Sequence, residues 1–265
     1  MKKIGFIGAG NMATAIIKGL ITQNNTSENL SVFDVSAEQC EKMREMGVNV
    51  APSSPDVVNN CDIIVLAVKP QHYADVLEEI RPAAGIDKTF VSIAAGISIA
   101  YVQNALGCAC PVVRVMPNTP LLLQKGATAL CPSENIGEEE KQVVYDMFAG
   151  SGVCEYITED HMNEIIAVNG SSPAYIYLFA KAMADYAAGC GISYDKAMNL
   201  ICATLEGSAA MLRQSDDTPD ELIKKVSSKG GTTIAALDVL NKRGFTEAVS
   251  EAMEACTKRA GELGR

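Results

Sequence analysis

The chain has 265 residues, 48% hydrophobic and 20% charged, enough to bury a substantial core and to hold one larger α/β domain with a smaller companion. Its formal net charge of −10 and pI near 4.8 argue against a nucleic-acid partner, which clustered Lys and Arg would have to attract. No run approaches the roughly 18 to 20 apolar residues that cross a bilayer. Met1-Lys2-Lys3 leads straight into a strand pattern without a signal-peptide core, so a cytoplasmic protein with no membrane association is expected.

In chain order, strand-like runs fall at Lys3 to Ile7, Leu30 to Phe33, Ile63 to Val68, Phe90 to Ile93, Val112 to Val115 and Ala127 to Cys131. Several are apolar on both faces, the mark of a buried parallel sheet. Helical patterns lie between them at Asn11 to Gln23, Ala37 to Met46, Tyr73 to Ile80 and Ile99 to Leu106, with Ser36 and Gln39 spaced as a capping box. Alternating elements predict an α/β fold, an N-terminal doubly wound, mostly parallel sheet of Rossmann type.

From about Asp160 the β-branched runs give way to Ala, Met and Leu at helical spacing. Helices are expected at Pro173 to Ala188, Tyr194 to Arg213, Pro219 to Val226, Thr233 to Asn241 and Thr246 to Glu262. The predicted division is a dinucleotide-binding domain over 1–158 and an all-helical domain over 159–265. Runs of small residues such as Gly207-Ser208-Ala209-Ala210 suit close packing of helices, including packing between subunits.

Gly8-Ala9-Gly10-Asn11-Met12-Ala13 follows the first strand and opens a helix. Gly8 allows the tight turn, Gly10 lets a pyrophosphate approach the backbone, and Ala13 keeps helix and sheet close. Asp34 ends the second strand, about 20 residues beyond Ala13, where a carboxylate accepts from adenine-ribose hydroxyls. With no Arg or Lys between Val32 and Gln39 to hold a 2′-phosphate, NADH is favoured over NADPH. Two proline-shaped loops, Ala67-Val68-Lys69-Pro70-Gln71 and Arg114-Val115-Met116-Pro117-Asn118-Thr119-Pro120, follow strands and are expected to adopt non-helical shapes that expose Lys69, Asn118 and nearby carbonyls to the dinucleotide.

Near the C-terminus, Ser228-Lys229-Gly230-Gly231-Thr232-Thr233 forms a turn between two helices. Two glycines permit inward-pointing N–H groups, and the helix that starts at Thr232 or Thr233 favours a carboxylate at its N-terminus. The nine cysteines lack the paired spacing of a structural zinc site and read as reduced, mostly buried hydrophobes; with only two histidines, His72 and His161, no metal is expected. The residues by themselves specify a dinucleotide enzyme acting on a small anion.

Together with Val68-Lys69-Pro70-Gln71 and Ser171-Ser172-Pro173-Ala174-Tyr175, these motifs resemble the pyrroline-5-carboxylate reductase family over nearly the whole chain. The resemblance implies reduction of the cyclic imine 1-pyrroline-5-carboxylate to L-proline by NADH or NADPH, in a homodimer or larger homo-oligomer built through the C-terminal helices, with each active site near the subunit interface. It implies that Ser228, Gly230, Gly231, Thr232 and Thr233 meet the substrate, with Thr233 near the ring nitrogen. Lys229 stands where the family usually has proline, Val168-Asn169-Gly170 replaces a serine-containing approach to Ser172-Pro173, and Asp216 falls where an acid is often found. Two competing readings are a β-hydroxyacid or 6-phosphogluconate-type dehydrogenase, which would carry a catalytic lysine near the start of the long helix, and a non-catalytic dinucleotide-sensing protein.

Overall fold

The computed structural model describes residues 2–24 and 27–264. By its internal contacts the chain forms two compact units, 1–173 with 254–265 and 174–253. The sequence instead suggests a change at 158/159. The difference at the C-terminus arises because the end of the last helix packs on the sheet-bearing unit: a side chain at Gly96 would meet the Ala260 carbonyl oxygen at 2.3 Å.

The first unit holds an eight-stranded sheet in the order β3-β2-β1-β4-β5-β6-β7-β8. Its strands are β1 (Ile4–Ile7), β2 (Leu30–Phe33), β3 (Asn49–Val50), β4 (Ile63–Leu66), β5 (Thr89–Ser92), β6 (Val112–Met116), β7 (Gly126–Pro132) and β8 (Gly152–Tyr156). All neighbours are parallel except β6 and β7. The helices are α1 (Asn11–Asn24), α2 (Ala37–Glu45), α3 (Ser54–Asn60), α4 (Tyr73–Ile80), α5 (Ile99–Leu106) and α6 (Glu138–Ala149). Strands β1, β4 and β5 are buried at every position, as expected of central parallel strands, the hydroxyls of Thr89 and Ser92 in β5 included. One cluster, including Phe6, Ile16, Val65 and Phe148, and another, including Ile7, Tyr73, Phe90 and Val102, form the core. Ser36 Oγ accepts from the Gln39 N–H and so starts α2.

The expected strands and helices are present, and four elements join them. Strand β3 is two residues long and carries no period. Helix α3 begins at Ser53-Ser54-Pro55, where Ser53 caps and proline suits the first turn. Helix α6 opens with three glutamates that hide its apolar stripe, and β8 is an edge strand exposed at three of five positions.

The second unit is helical: α7 (Ser172–Gly189), whose first two residues belong to the first unit, α8 (Tyr194–Gln214), α9 (Pro219–Lys225), α10 (Thr232–Lys242) and the first part of α11 (Phe245–Leu263). Helix α9 is closed by a full capping box between Thr218 and Glu221. Its sealed apolar cluster is small, made of Ala180, Ala184, Ala197 and Ile201. Among the described residues no helix is long and apolar enough to cross a membrane.

Candidate active site

In the first unit, β1 lies between β2 and β4, so the winding of the sheet reverses beside Gly8. Ligands of open α/β sheets bind at such switch points, at the carboxyl ends of the strands. Gly8 has φ +101, and a Cβ there would sit 2.8 Å from the Ala67 carbonyl carbon and oxygen. Only glycine lets the turn pass this close to the end of β4. Gly10 is exposed and an added Cβ would find nothing within 4 Å, so the side facing solvent is open. Asn11 and Met12 then begin α1, whose first N–H groups have no partner within the helix. Ala13 is sealed at 1% exposure and holds the helix against the sheet. An open glycine turn on the N-terminus of a 14-residue helix fits a dinucleotide pyrophosphate.

Asp34 closes this turn from the side. Its Oδ2 accepts from the Ala9 N–H at 2.7 Å and its Oδ1 from the Ser36 N–H at 2.8 Å. The carboxylate therefore fixes the glycine turn to the end of β2 while keeping lone pairs for further donors. Val35, beside it, is 94% exposed.

The proline loops differ from expectation. Pro70 opens a 3₁₀ turn, Pro70–His72, and Pro120 lies in another, Thr119–Leu123, because the fixed φ of proline suits a first helical position. Lys69 is exposed and Val68 packs partly on the core. Asn118, expected to face the dinucleotide, is instead buried: its Nδ2 donates to the Asn169 carbonyl at 3.1 Å and its Oδ1 accepts from the Ala127 N–H at 2.9 Å. Both ends of its amide serve the protein itself.

Tyr73 was not singled out by pattern. It is sealed, its hydroxyl donating to the Leu66 carbonyl at 2.7 Å and lying 3.1 Å from Ser92 Oγ. That bridge ties the carboxyl ends of β4 and β5 together, and burial pushes its phenol pKa up. A tyrosine opening a helix directly after a strand loop was the available signal.

In the helical unit the Gly231 N–H donates to the Ser228 carbonyl at 2.9 Å, closing a turn with Gly230 at φ +72 in its third position. Gly231 has an ordinary φ of −82, but a Cβ on it would lie 2.5 Å from Ser228 Oγ and 3.0 Å from Ser228 O, so a side chain there would displace the Ser228 hydroxyl. Gly231 caps α10 without a side-chain hydrogen bond, leaving the N–H groups of Thr232 and Thr233 free of a capping partner. Ser227 Oγ is bonded back to the Ile223 carbonyl at 2.7 Å and takes no part. The result is a shallow cradle of backbone N–H groups beside the hydroxyls of Ser228, Thr232 and Thr233. Lys229 is exposed. Asp216 is exposed in the loop before α9, and its neighbour Asp217 is held below the usual carboxylate range by the Lys225 ammonium at 2.5 Å and by Ser215 Oγ.

Five of the nine cysteines are buried and two are half-buried, as expected of mostly hidden thiols, while Cys190 and Cys202 are exposed. Both lie in the helical unit, where alanine-rich faces leave little core to hide them.

Residues 159–263 match the family described as pyrroline-5-carboxylate reductase dimerisation, and residues 3–96 match NADP oxidoreductase, coenzyme F420-dependent. The pyrroline-5-carboxylate reductase of Escherichia coli K12 is 38% identical over 266 residues, covering 100% of this chain and 99% of its own. The zebrafish (Danio rerio) pyrroline-5-carboxylate reductase 3 is 36% identical, over 99% of this chain and 91% of its own. Among solved structures, Plasmodium falciparum pyrroline carboxylate reductase with NADP bound superposes with a TM-score of 0.92 at 32% identity, covering 100% of this chain and 98% of that one. A prephenate dehydrogenase at 15% identity shares the fold alone. The chain belongs to the pyrroline-5-carboxylate reductase family.

Proposed function

We infer that this chain reduces 1-pyrroline-5-carboxylate to L-proline with a reduced nicotinamide dinucleotide. The observation that carries the reading is the pairing of two separately built grips in one chain of this family: the open glycine turn at Gly8 to Ala13 and the uncapped cradle at Ser228 to Thr233. The dinucleotide, when bound, supplies the hydride that adds to the ring carbon of the imine. A protonated imine is already electrophilic, so the protein's task is chiefly to position the reactants.

Gly8, Gly10, Asn11, Met12 and Ala13 hold the pyrophosphate, with Val68, Lys69 and Pro70 beside it. Ser228, Gly230, Gly231 and Thr232 take the substrate carboxylate, where the dipole of the 11-residue α10 assists. Thr233 hydrogen-bonds the ring nitrogen and is the candidate catalytic residue. Residues 1–158 act as the dinucleotide domain and 159–265 as the substrate and dimerisation domain. The exposed apolar side chains of the helical unit, Ile176, Leu178, Tyr186 and Leu200 among them, are covered by a second copy. Nine free cysteines suit a reducing compartment, the cytoplasm.

NADH is the preferred reductant. Asp34 repels a 2′-phosphate, and its neighbours Val35 and Ser36 offer no cation. Since Asp34 also anchors the Ala9 N–H, Asp34→Ser alone weakens both cofactors, and preference moves to NADPH only when Val35→Arg is added.

The test is one assay on the full-length chain: pyrroline-5-carboxylate with NADH or NADPH, following loss of reduced cofactor and appearance of proline. Turnover with a higher kcat/KM for NADH is expected. Folded protein giving no proline with either cofactor overturns the reading, and equal or better use of NADPH overturns the role given to Asp34.

A further inference from the structure

Buried Asn118, just after β6, and half-buried Asn169, in the turn before α7, form a clasp. Asn118 Nδ2 donates to the Asn169 carbonyl at 3.1 Å, and Asn118 Oδ1 accepts from the Ala127 N–H at 2.9 Å. Asn169 Nδ2 donates in turn to the carbonyls of Met116 at 2.8 Å and Ala127 at 2.9 Å. Three segments meet here: Met116 as the last residue of β6, Ala127 in β7, and the wide turn Ile166–Gly170 that precedes α7. That turn is itself a π-type bend, with the Ser171 N–H reaching the Ile166 carbonyl at 2.8 Å. Strands β6 and β7 are antiparallel, so the clasp sits where the sheet's one reversed pair among the described residues begins, beside the loop Pro117–Pro120.

This location has a consequence for the dinucleotide. The adenosine half belongs with the glycine turn and Asp34, on the β1 and β2 side of the switch point. The nicotinamide half then falls on the side of β4, β5 and β6, whose carboxyl ends carry the loop the clasp holds. We propose that Asn118 and Asn169 are positioning residues for the nicotinamide half of the cofactor, acting through the β6 loop and making no contact with the adenosine half. The proposal rests on dinucleotide binding by this chain and not on the identity of the imine.

Several features favour this over general bracing. Asn118 is 8% exposed, and among the described residues its side-chain hydrogen bonds go to backbone of β7 and of the π-type turn. Asn169 Nδ2 donates to two carbonyls, which fixes the orientation of its amide. Neither an aliphatic side chain nor a carboxylate could donate as these amides do: Asn118 donates through Nδ2 and accepts through Oδ1, while Asn169 contributes its Nδ2 alone, its buried Oδ1 having no partner among the described residues.

The experiment compares binding of NADH with binding of ADP-ribose, which lacks the nicotinamide, in full-length Asn118→Ala and Asn169→Ala. Asn169→Ser, which keeps one donor, serves where an alanine variant does not fold. NADH affinity is expected to fall about tenfold in the alanine variants and less in Asn169→Ser, with ADP-ribose affinity within about twofold of the parent. The double alanine variant is expected to be no weaker than the worse single one, since both break the same clasp. Parallel loss of both ligands, or unchanged NADH affinity in folded variants, overturns the proposal. Because the readout is binding, it stands or falls separately from turnover of the imine.

Discussion

Aromatic and branched side chains of the sheet-bearing unit, such as Phe6, Ile16, Phe90 and Phe148, are sealed from water, whereas the helical unit seals mainly alanines and leaves Leu178, Tyr186 and Leu200 at 69, 76 and 69% exposure. The first unit has a core large enough to stand alone. The second has the surface of a half-built interface, apolar where a monomer would be polar. The same division runs through the chemistry. The glycine turn of the sheet is held by packed neighbours at Gly8 and Ala13 and open at Gly10, and the helical unit offers an exposed turn of glycines and hydroxyls.

Changes in the sheet-bearing unit should therefore be the more severe. Gly8→Ala introduces a Cβ 2.8 Å from the Ala67 backbone at φ +101. A cost of about 3 kcal/mol is expected, a roughly 100-fold loss of NADH affinity measurable by fluorescence titration. An unchanged affinity would show that the turn is looser than its packing implies.

Leu178→Asp puts a charge on the exposed apolar face of α7 and so tests the interface. Self-association should weaken by about 2 kcal/mol, roughly thirtyfold in Kd by sedimentation velocity, with the melting of the sheet-bearing unit little altered. Retention of the parent's oligomeric state at all concentrations would argue that this face is not the contact.

The smallest expected effect is in thiol chemistry. Burial pushes Cys110 and Cys131 up to about 12 and Cys154 up to about 11, so these thiols of the sheet-bearing unit stay protonated and unreactive near neutral pH. Cys190 and Cys202 of the helical unit are exposed. Mass spectrometry after brief alkylation should find label on the latter pair well before Cys110, Cys131 and Cys154, and faster in Leu178→Asp. Early labelling of Cys131 would contradict the sealed core.

Much of this arrangement was legible from the residues. Two-sided apolar runs announced β1, β4 and β6, and the helices Tyr73–Ile80 and Ile99–Leu106 fall where their periodicity places them. The glycine turn and the Ser228 to Thr233 cradle were visible because the positive φ of Gly8 and of Gly230 favours glycine, which leaves a mark in the letters. Asn118 was located but misread: its motif said that it mattered, while burial and the reach to Ala127 and Asn169 depend on contacts across nine and 51 residues of chain that no local pattern encodes. Tyr73, Asn169 and the bond from Ala9 to Asp34 escaped for the same reason. Edge strand β8 and the glutamate-led α6 lack a clear period, since one is half solvated and the other begins with charge suited to its dipole.

We assign the two ligands to separate turns, and Gly231→Ala tests that assignment most directly. The added Cβ crowds Ser228 at 2.5 Å and reshapes the cradle while leaving Gly8 to Ala13 and Asp34 untouched. Titration of NADH, followed by competition of proline against pyrroline-5-carboxylate turnover, should show parent-like NADH affinity with the inhibition constant of proline and the KM of the imine both raised about tenfold. Loss of NADH binding, or proline inhibition equal to that of the parent, would contradict it.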